Sequence, residues 1–295
     1  MMRKIGENGR TGEFIHFQLR PILETFKFEI VRAKKKFIGF AITVLVLFFL
    51  INVYFYLAFD DYELPQTLNL YYQRGIGFLY VNNVNNTALL ILFACCFFFG
   101  GIICAEYGDK TGFILFPKIN KYKLLLGKYI ARFTLVILVI AVYYFSLIIG
   151  GIYFYWEFNG QILLSLAIAI LFILAISAYV TLFSSLTKKE NITIVFSIMT
   201  LLFGFTIGDL IVQVSTNGEI EPIYSLMYQS NLIEYSVLED LPHPRYEILH
   251  VFTGSEIVDL KIWLTPSYPV AICILLLYTA MLLIFASLIF KRKQL

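Results

Sequence analysis

Six apolar stretches, at 37–59, 87–105, 133–156, 162–186, 192–214 and 269–290, alternate with polar segments along the chain. A hydrocarbon core about 30 Å thick takes about 20 apolar residues in helical form. Lipid offers backbone groups no partner outside their own segment. The pattern therefore predicts an all-α, polytopic membrane protein with six transmembrane helices. The chain divides into an N-terminal segment (1–36), a six-helix domain (37–290) and a short tail (291–295). The first span is entered through Lys34-Lys35-Lys36 and left through Asp60-Asp61, and the sixth is followed by Lys291-Arg292-Lys293.

The segment before the first span has a pattern of its own. From Pro21 it reads PILETFKFEIVRAKKK. Ile22, Phe26 and Ile30 recur at four-residue spacing with Leu23 and Val31 beside them, while Glu24, Lys27, Glu29 and Arg32 point elsewhere. Pro21 suits the first turn of a helix. A basic amphipathic helix leading into a span is expected to lie in the membrane interface; docking on a protein partner is the alternative. The polar start, about 36 residues long, lacks the basic-then-apolar form of a cleavable signal peptide.

Composition agrees: 59% of the 295 residues are hydrophobic, 15% are charged and the mean hydropathy is +0.79. A soluble domain or a disordered chain would not carry these values. The net charge of +3 hides a strong partition. Of 23 basic residues, 20 fall in the N-terminal segment, the loops joining spans two to three and four to five, and the C-terminus. The opposite loops hold three basic residues against 13 acids, with Asp209 counted there. Basic loops stay inside, so both termini are expected in the cytoplasm, in the cell membrane of a prokaryote.

Several chemistries lack their residues. Gly127-Lys128 has no upstream glycine to make a GxxxxGK[ST] phosphate loop, and no HExxH occurs. His16, His243 and His250 do not form a metal-ligand pattern, and Cys95, Cys96, Cys104 and Cys273 lie in apolar runs, as packing residues would. No charged residue sits centrally in a span; Asp209 is the nearest. Intramembrane carboxylates mark proton and ion pathways, so a proton-coupled carrier is disfavoured, and no enzymatic site is expected in this chain.

Polar residues on spans one, four and five, among them Asn52, Ser165, Ser177, Thr181 and Ser197, are expected to join helices by hydrogen bonds. Gly100-Gly101 and Gly150-Gly151 permit close contact or bending. Residues 215–268 form a long outer loop with eight acids and two basic residues, expected to hold short helices over the outer mouth of the bundle, with a turn at Leu241-Pro242-His243-Pro244.

The most distinctive segment joins spans two and three. It runs from Glu106 through Lys110, Thr111, an apolar Phe113–Phe116 stretch, Pro117 and Lys121 to Gly127-Lys128. A short helix with apolar knobs at the membrane surface would make a lever for a soluble partner. In this loop the sequence resembles the permease subunits of ABC-2 type exporters. Their first cytoplasmic loop has a glutamate, then Gly-Thr, then Pro-aliphatic-Ser/Thr-Arg, then Gly-Lys where span three begins. Glu106 matches the acidic position, Thr111 the threonine, Ile119-Asn120-Lys121 the aliphatic–polar–basic step and Gly127-Lys128 the final pair. Lys110 stands where the family has glycine, Lys121 replaces arginine, and Lys118 takes the proline position with Pro117 one residue earlier. Lysine lacks the planar fork of arginine and pairs less specifically.

The resemblance implies a subunit that moves a hydrophobic or amphipathic substrate outward: a drug-like molecule, a lipid or a peptide. It implies two copies of a separate ATPase subunit that carry the ATP and Mg, and a second permease chain, identical or not. This chain would itself hold no cofactor. Spans one, two and five of each permease would form the path, with lipid around them and no nucleic acid partner. Glu106, Lys110, Thr111, Phe113, Phe116, Pro117, Lys121, Gly127 and Lys128 would form the ATPase-coupling loop. The alternative is a membrane-bound sensor or scaffold that binds a ligand through its outer loop.

Overall fold

The computed structural model describes residues 8–59, 83–108, 120–156, 158–237, 245–253 and 256–292. The chain opens with one unbroken helix of 52 residues, α1 (Asn8–Phe59). It contains both the pre-membrane segment and the first expected span. Pro21 lies inside this helix and does not open it as expected.

Next come α2 (Thr87–Phe99), a turn at 100–103, and α3 (Cys104–Gly108). The turn falls at Gly100-Gly101, where bending was anticipated. Its amides at Ile103 and Cys104 donate to Ser184 Oγ, at 3.0 and 3.2 Å. α4 (Lys121–Tyr155) begins twelve residues before the expected third span and runs straight through Gly150-Gly151. Its start is capped by Asn120, whose side chain accepts from the Tyr122 amide at 3.0 Å. α5 (Gln161–Leu186) follows, then α6 (Glu190–Met199), a π-helical turn at Thr200–Phe205, and α7 (Thr206–Ser215). The last helix is α9 (Tyr268–Arg292).

Among the described residues five helical stretches are long and apolar enough to cross a membrane: Asn83–Tyr107, Lys121–Tyr153, Gln161–Leu186, Glu190–Ser215 and Tyr268–Arg292. They coincide with expected spans two to six, and the protein is a mostly helical, polytopic membrane protein.

The core centres on α5, which packs against α2, α4 and α9. Ala169, Ala175 and Ala178 are fully buried beside Phe172, Ile173 and Ile176; small residues let neighbouring backbones approach. Three of the five polar residues do join helices, whereas Thr181 bonds the Ser177 carbonyl of its own helix and Ser197 Oγ is buried without a partner among the described residues. Ser177 bonds Tyr129 at 2.7 Å, Ser165 bonds Tyr144 at 2.9 Å, and Asn52 and Asn83 exchange amide bonds at 3.2 Å. Cys95, Cys96 and Cys104 are buried and reduced, whereas Cys273 is exposed.

The outer segment differs in part from expectation. Among the described residues it has one short helix, α8 (Leu226–Tyr235), capped by Ser225 and fastened to α5 where Ser165 Oγ donates to the Ile233 carbonyl at 2.8 Å. The other element is an antiparallel hairpin, β1 (Tyr246–Thr253) and β2 (Glu256–Trp263), with Tyr246 opposite Trp263 and Thr253 opposite Glu256. Trp263 Nε1 donates to the Gly218 carbonyl at 2.8 Å and docks the hairpin beside the end of α7. The turn expected at 241–244 lies outside the described residues.

Candidate functional site: a buried ionic joint at the basic end

The basic end of the molecule gathers the first half of α1, the α3 terminus, the start of α4, the α5–α6 turn and the end of α9. Lys36 on α1 pairs with Glu190 on α6 at 3.0 Å. Lys121, the first residue of α4, stands 5.7 Å from the Phe290 ring on α9, and Tyr107 packs edge-on against the same ring.

Between α1, α3 and α4 lies a joint made of charges. Glu29 on α1 is 2% exposed, and two residues of α4 converge on it. Arg132 reaches its Oε2 through Nη2 at 3.1 Å and through Nε at 3.3 Å. Lys128 stands 3.5 Å from Oε1. Lys128 also donates to Glu106 on α3, itself 2% exposed. Arg132 Nη1 donates to the Phe98 carbonyl at 2.8 Å, which ties α2 into the same cluster. Two buried carboxylates thus meet the buried Lys128 and the partly buried Arg132, with the half-exposed Arg32 at 3.8 Å on the rim. Such a set is stable only while every charge is answered; removing one partner strands the others. Burial pushes the Glu29 carboxyl upward, but Arg132 and then Lys128 outweigh it and hold the group below its ordinary range.

The backbone must come very close for this joint to form. At Gly127 a Cβ would stand 2.9 Å from the Ile22 carbonyl oxygen and 2.9 Å from Thr25 Cβ. Only glycine lets α1 and α4 approach enough to bring Glu29 within reach of Lys128 and Arg132.

The sequence-predicted coupling residues are therefore split. Glu106 and Lys128 meet directly, Gly127 is the contact point with α1, and Lys121 opens α4 against α9. Lys110, Thr111, Phe113, Phe116 and Pro117, with the short helix expected at 113–116, lie outside the described residues. Two partners went unforeseen. Glu29 was placed on the polar side of an interfacial helix, yet it and Thr25 form the buried side, while Leu23, Phe28 and Val31 are exposed. Arg132 was counted only as a basic residue at the edge of a span.

Through Lys128, the residues on either side of 109–119 are tied to each other and to α1. No protein-family model matches the chain, and no curated protein matches its sequence.

Proposed function

We propose that the chain is the membrane-spanning permease subunit of an ATP-binding cassette exporter, which moves a hydrophobic or amphipathic substrate outward with power from a separate ATPase. The observation that carries this reading is the Glu29–Lys128–Glu106 joint. A soluble motor pressing on the 109–119 loop would act on two helix ends, α3 and α4, that are locked together and to α1. Motion would therefore pass to three helices as a unit. The sequence resemblance puts the coupling contacts in this same loop. The apolar faces of α1, α6–α7 and α9 are largely exposed, which suits lipid and a second permease chain.

The test is co-expression with a candidate ATPase. The intact chain is expected to co-purify with it and raise its ATP turnover. Phe116→Ala, in the loop itself, should abolish stimulation while leaving the membrane domain folded, and Glu106→Ala should abolish it by releasing the joint. A chain that recruits no ATPase, or whose stimulation survives both substitutions, does not work this way.

A sensor or scaffold is the second reading, favoured by the folded outer segment of α8 and the hairpin. Inside-out vesicles discriminate: ATP-dependent accumulation of substrate belongs to an exporter, and its absence with ligand binding retained belongs to a sensor.

A further inference from the structure

At the acidic end, α7, α8, residues 84–89 and Trp263 line a half-open cavity of about 510 Å³, within the range of small-molecule sites. Two carboxylates line it, Asp209 from α7 and Glu234 from α8, and no Lys, Arg or His does among the described residues. Asp209 Oδ2 accepts from Ser225 Oγ at 2.5 Å, and the Tyr224 hydroxyl also acts on this carboxyl, whose Oδ1 has no close hydrogen-bond partner among the described residues. The Glu234 carboxylate has neither a hydrogen bond nor an ion pair among the described residues, and burial raises it above its ordinary range. The nearby cations are engaged elsewhere. Arg245 pairs with Glu221 at 2.7 Å, and Lys261 lies 3.8 and 3.9 Å from the rings of Tyr246 and Trp263.

Span five is shaped to present Asp209 here. The π-helical turn at Thr200–Phe205 holds an added residue, which rotates everything beyond it by about 100° relative to a continuous α-helix. Asp209 and Gln213 then line the cavity while Ile207, Leu210, Ile211 and Val214 face outward.

Partly buried carboxylates without counter-charges favour a cation that completes them. A bare calcium ion draws 6–8 oxygens to within about 2.6 Å, whereas a roomy cavity with one apolar wall suits an organic ammonium. We propose that this cavity binds the ammonium group of an amphipathic amine between Asp209 and Glu234, with the apolar arm of the ligand along Leu89 and Met227. The site serves a transported or a sensed amine alike and does not rest on the export reading.

The protein has two tryptophans, and Trp156 is 88% exposed, so Trp156→Phe leaves Trp263 as the reporter in the cavity wall. This chain, in phosphatidylglycerol nanodiscs that contain no ammonium, is titrated with 4-phenylbutylamine and with the neutral 4-phenylbutanol. Saturable change in Trp263 emission is expected for the amine and not for the alcohol, and should weaken at least tenfold on Asp209→Asn or Glu234→Gln. An equal response to the alcohol, or an undiminished one in both variants, overturns the proposal. Should a variant fail to fold, the amine–alcohol comparison on the parent chain decides. Adding phosphatidylethanolamine separates two sources of the same group: competition assigns the site to a lipid headgroup, and unchanged binding assigns it to a soluble amine.

Discussion

Gly127 of α4 and Thr25 of α1 are in such close register that a single added Cβ would stand 2.9 Å from the threonine Cβ. This contact sets how near the two helices lie, and hence whether Glu29 reaches its cations. Gly127→Ala is expected to destabilise by about 1–3 kcal/mol, the usual penalty of overpacking. Thr25→Gly should restore only part, because the Ile22 carbonyl crowds the same position. Thermal unfolding in detergent, followed by intrinsic fluorescence, measures both.

Glu29 and Arg132 should show strong energetic coupling. Glu29→Ala leaves Arg132 without its carboxylate and Lys128 with Glu106 alone, at a cost of about 3–5 kcal/mol. The paired change Glu29→Leu with Arg132→Met should cost less than the sum of the single changes. A double-mutant cycle on unfolding temperature or denaturant midpoint reads the difference; strict additivity would show that the pair is not a unit.

The same carboxylate makes stability depend on acid. Its folded-state pKa lies below the ordinary 4.5, since Arg132 and Lys128 outweigh burial. The contribution of Glu29 is complete above that ordinary value, shrinks as pH falls below it, and is gone once pH drops beneath the lowered folded value. Glu29→Gln should be less stable at neutral pH and should flatten the acid limb of a stability–pH profile in that window.

Ser184 holds the turn between α2 and α3 by accepting from two consecutive amides. Ser184→Ala would leave both without that acceptor in a fully buried site. A loss of about 2 kcal/mol is expected from stranded backbone donors. Amide hydrogen exchange at 100–105 should quicken in the variant, whereas exchange in the middle of α5 should not change.

Spans two to six were legible because apolar runs of membrane length have few other uses. The basic extension of α4 was not, because Lys121, Lys123, Lys128 and Arg132 interrupt the run that marks a span. The partner that neutralises two of them, Glu29, is about a hundred residues away in sequence. The periodicity of Ile22, Phe26 and Ile30 correctly implied a helix, yet it concealed which face is buried. That face holds Thr25 and Glu29, and a helix docked by a charge looks in sequence like one whose charge faces water. The hairpin had a readable signal: Tyr246–Thr253 and Glu256–Trp263 are rich in aromatic and β-branched residues, with Gly254-Ser255 between them. The expectation of a helical outer segment passed over it.

The first helix is continuous from the joint at Glu29 to Asn52, whose amide pairs with Asn83 at 3.2 Å. Those points are about 35 Å apart at 1.5 Å per residue. A rod of that length tilted by about 5° shifts its far end by about 3 Å, roughly the length of a hydrogen bond. A tilt of α1 about the ionic joint would therefore register at Asn52 and Asn83 as a broken or remade pair of amide bonds.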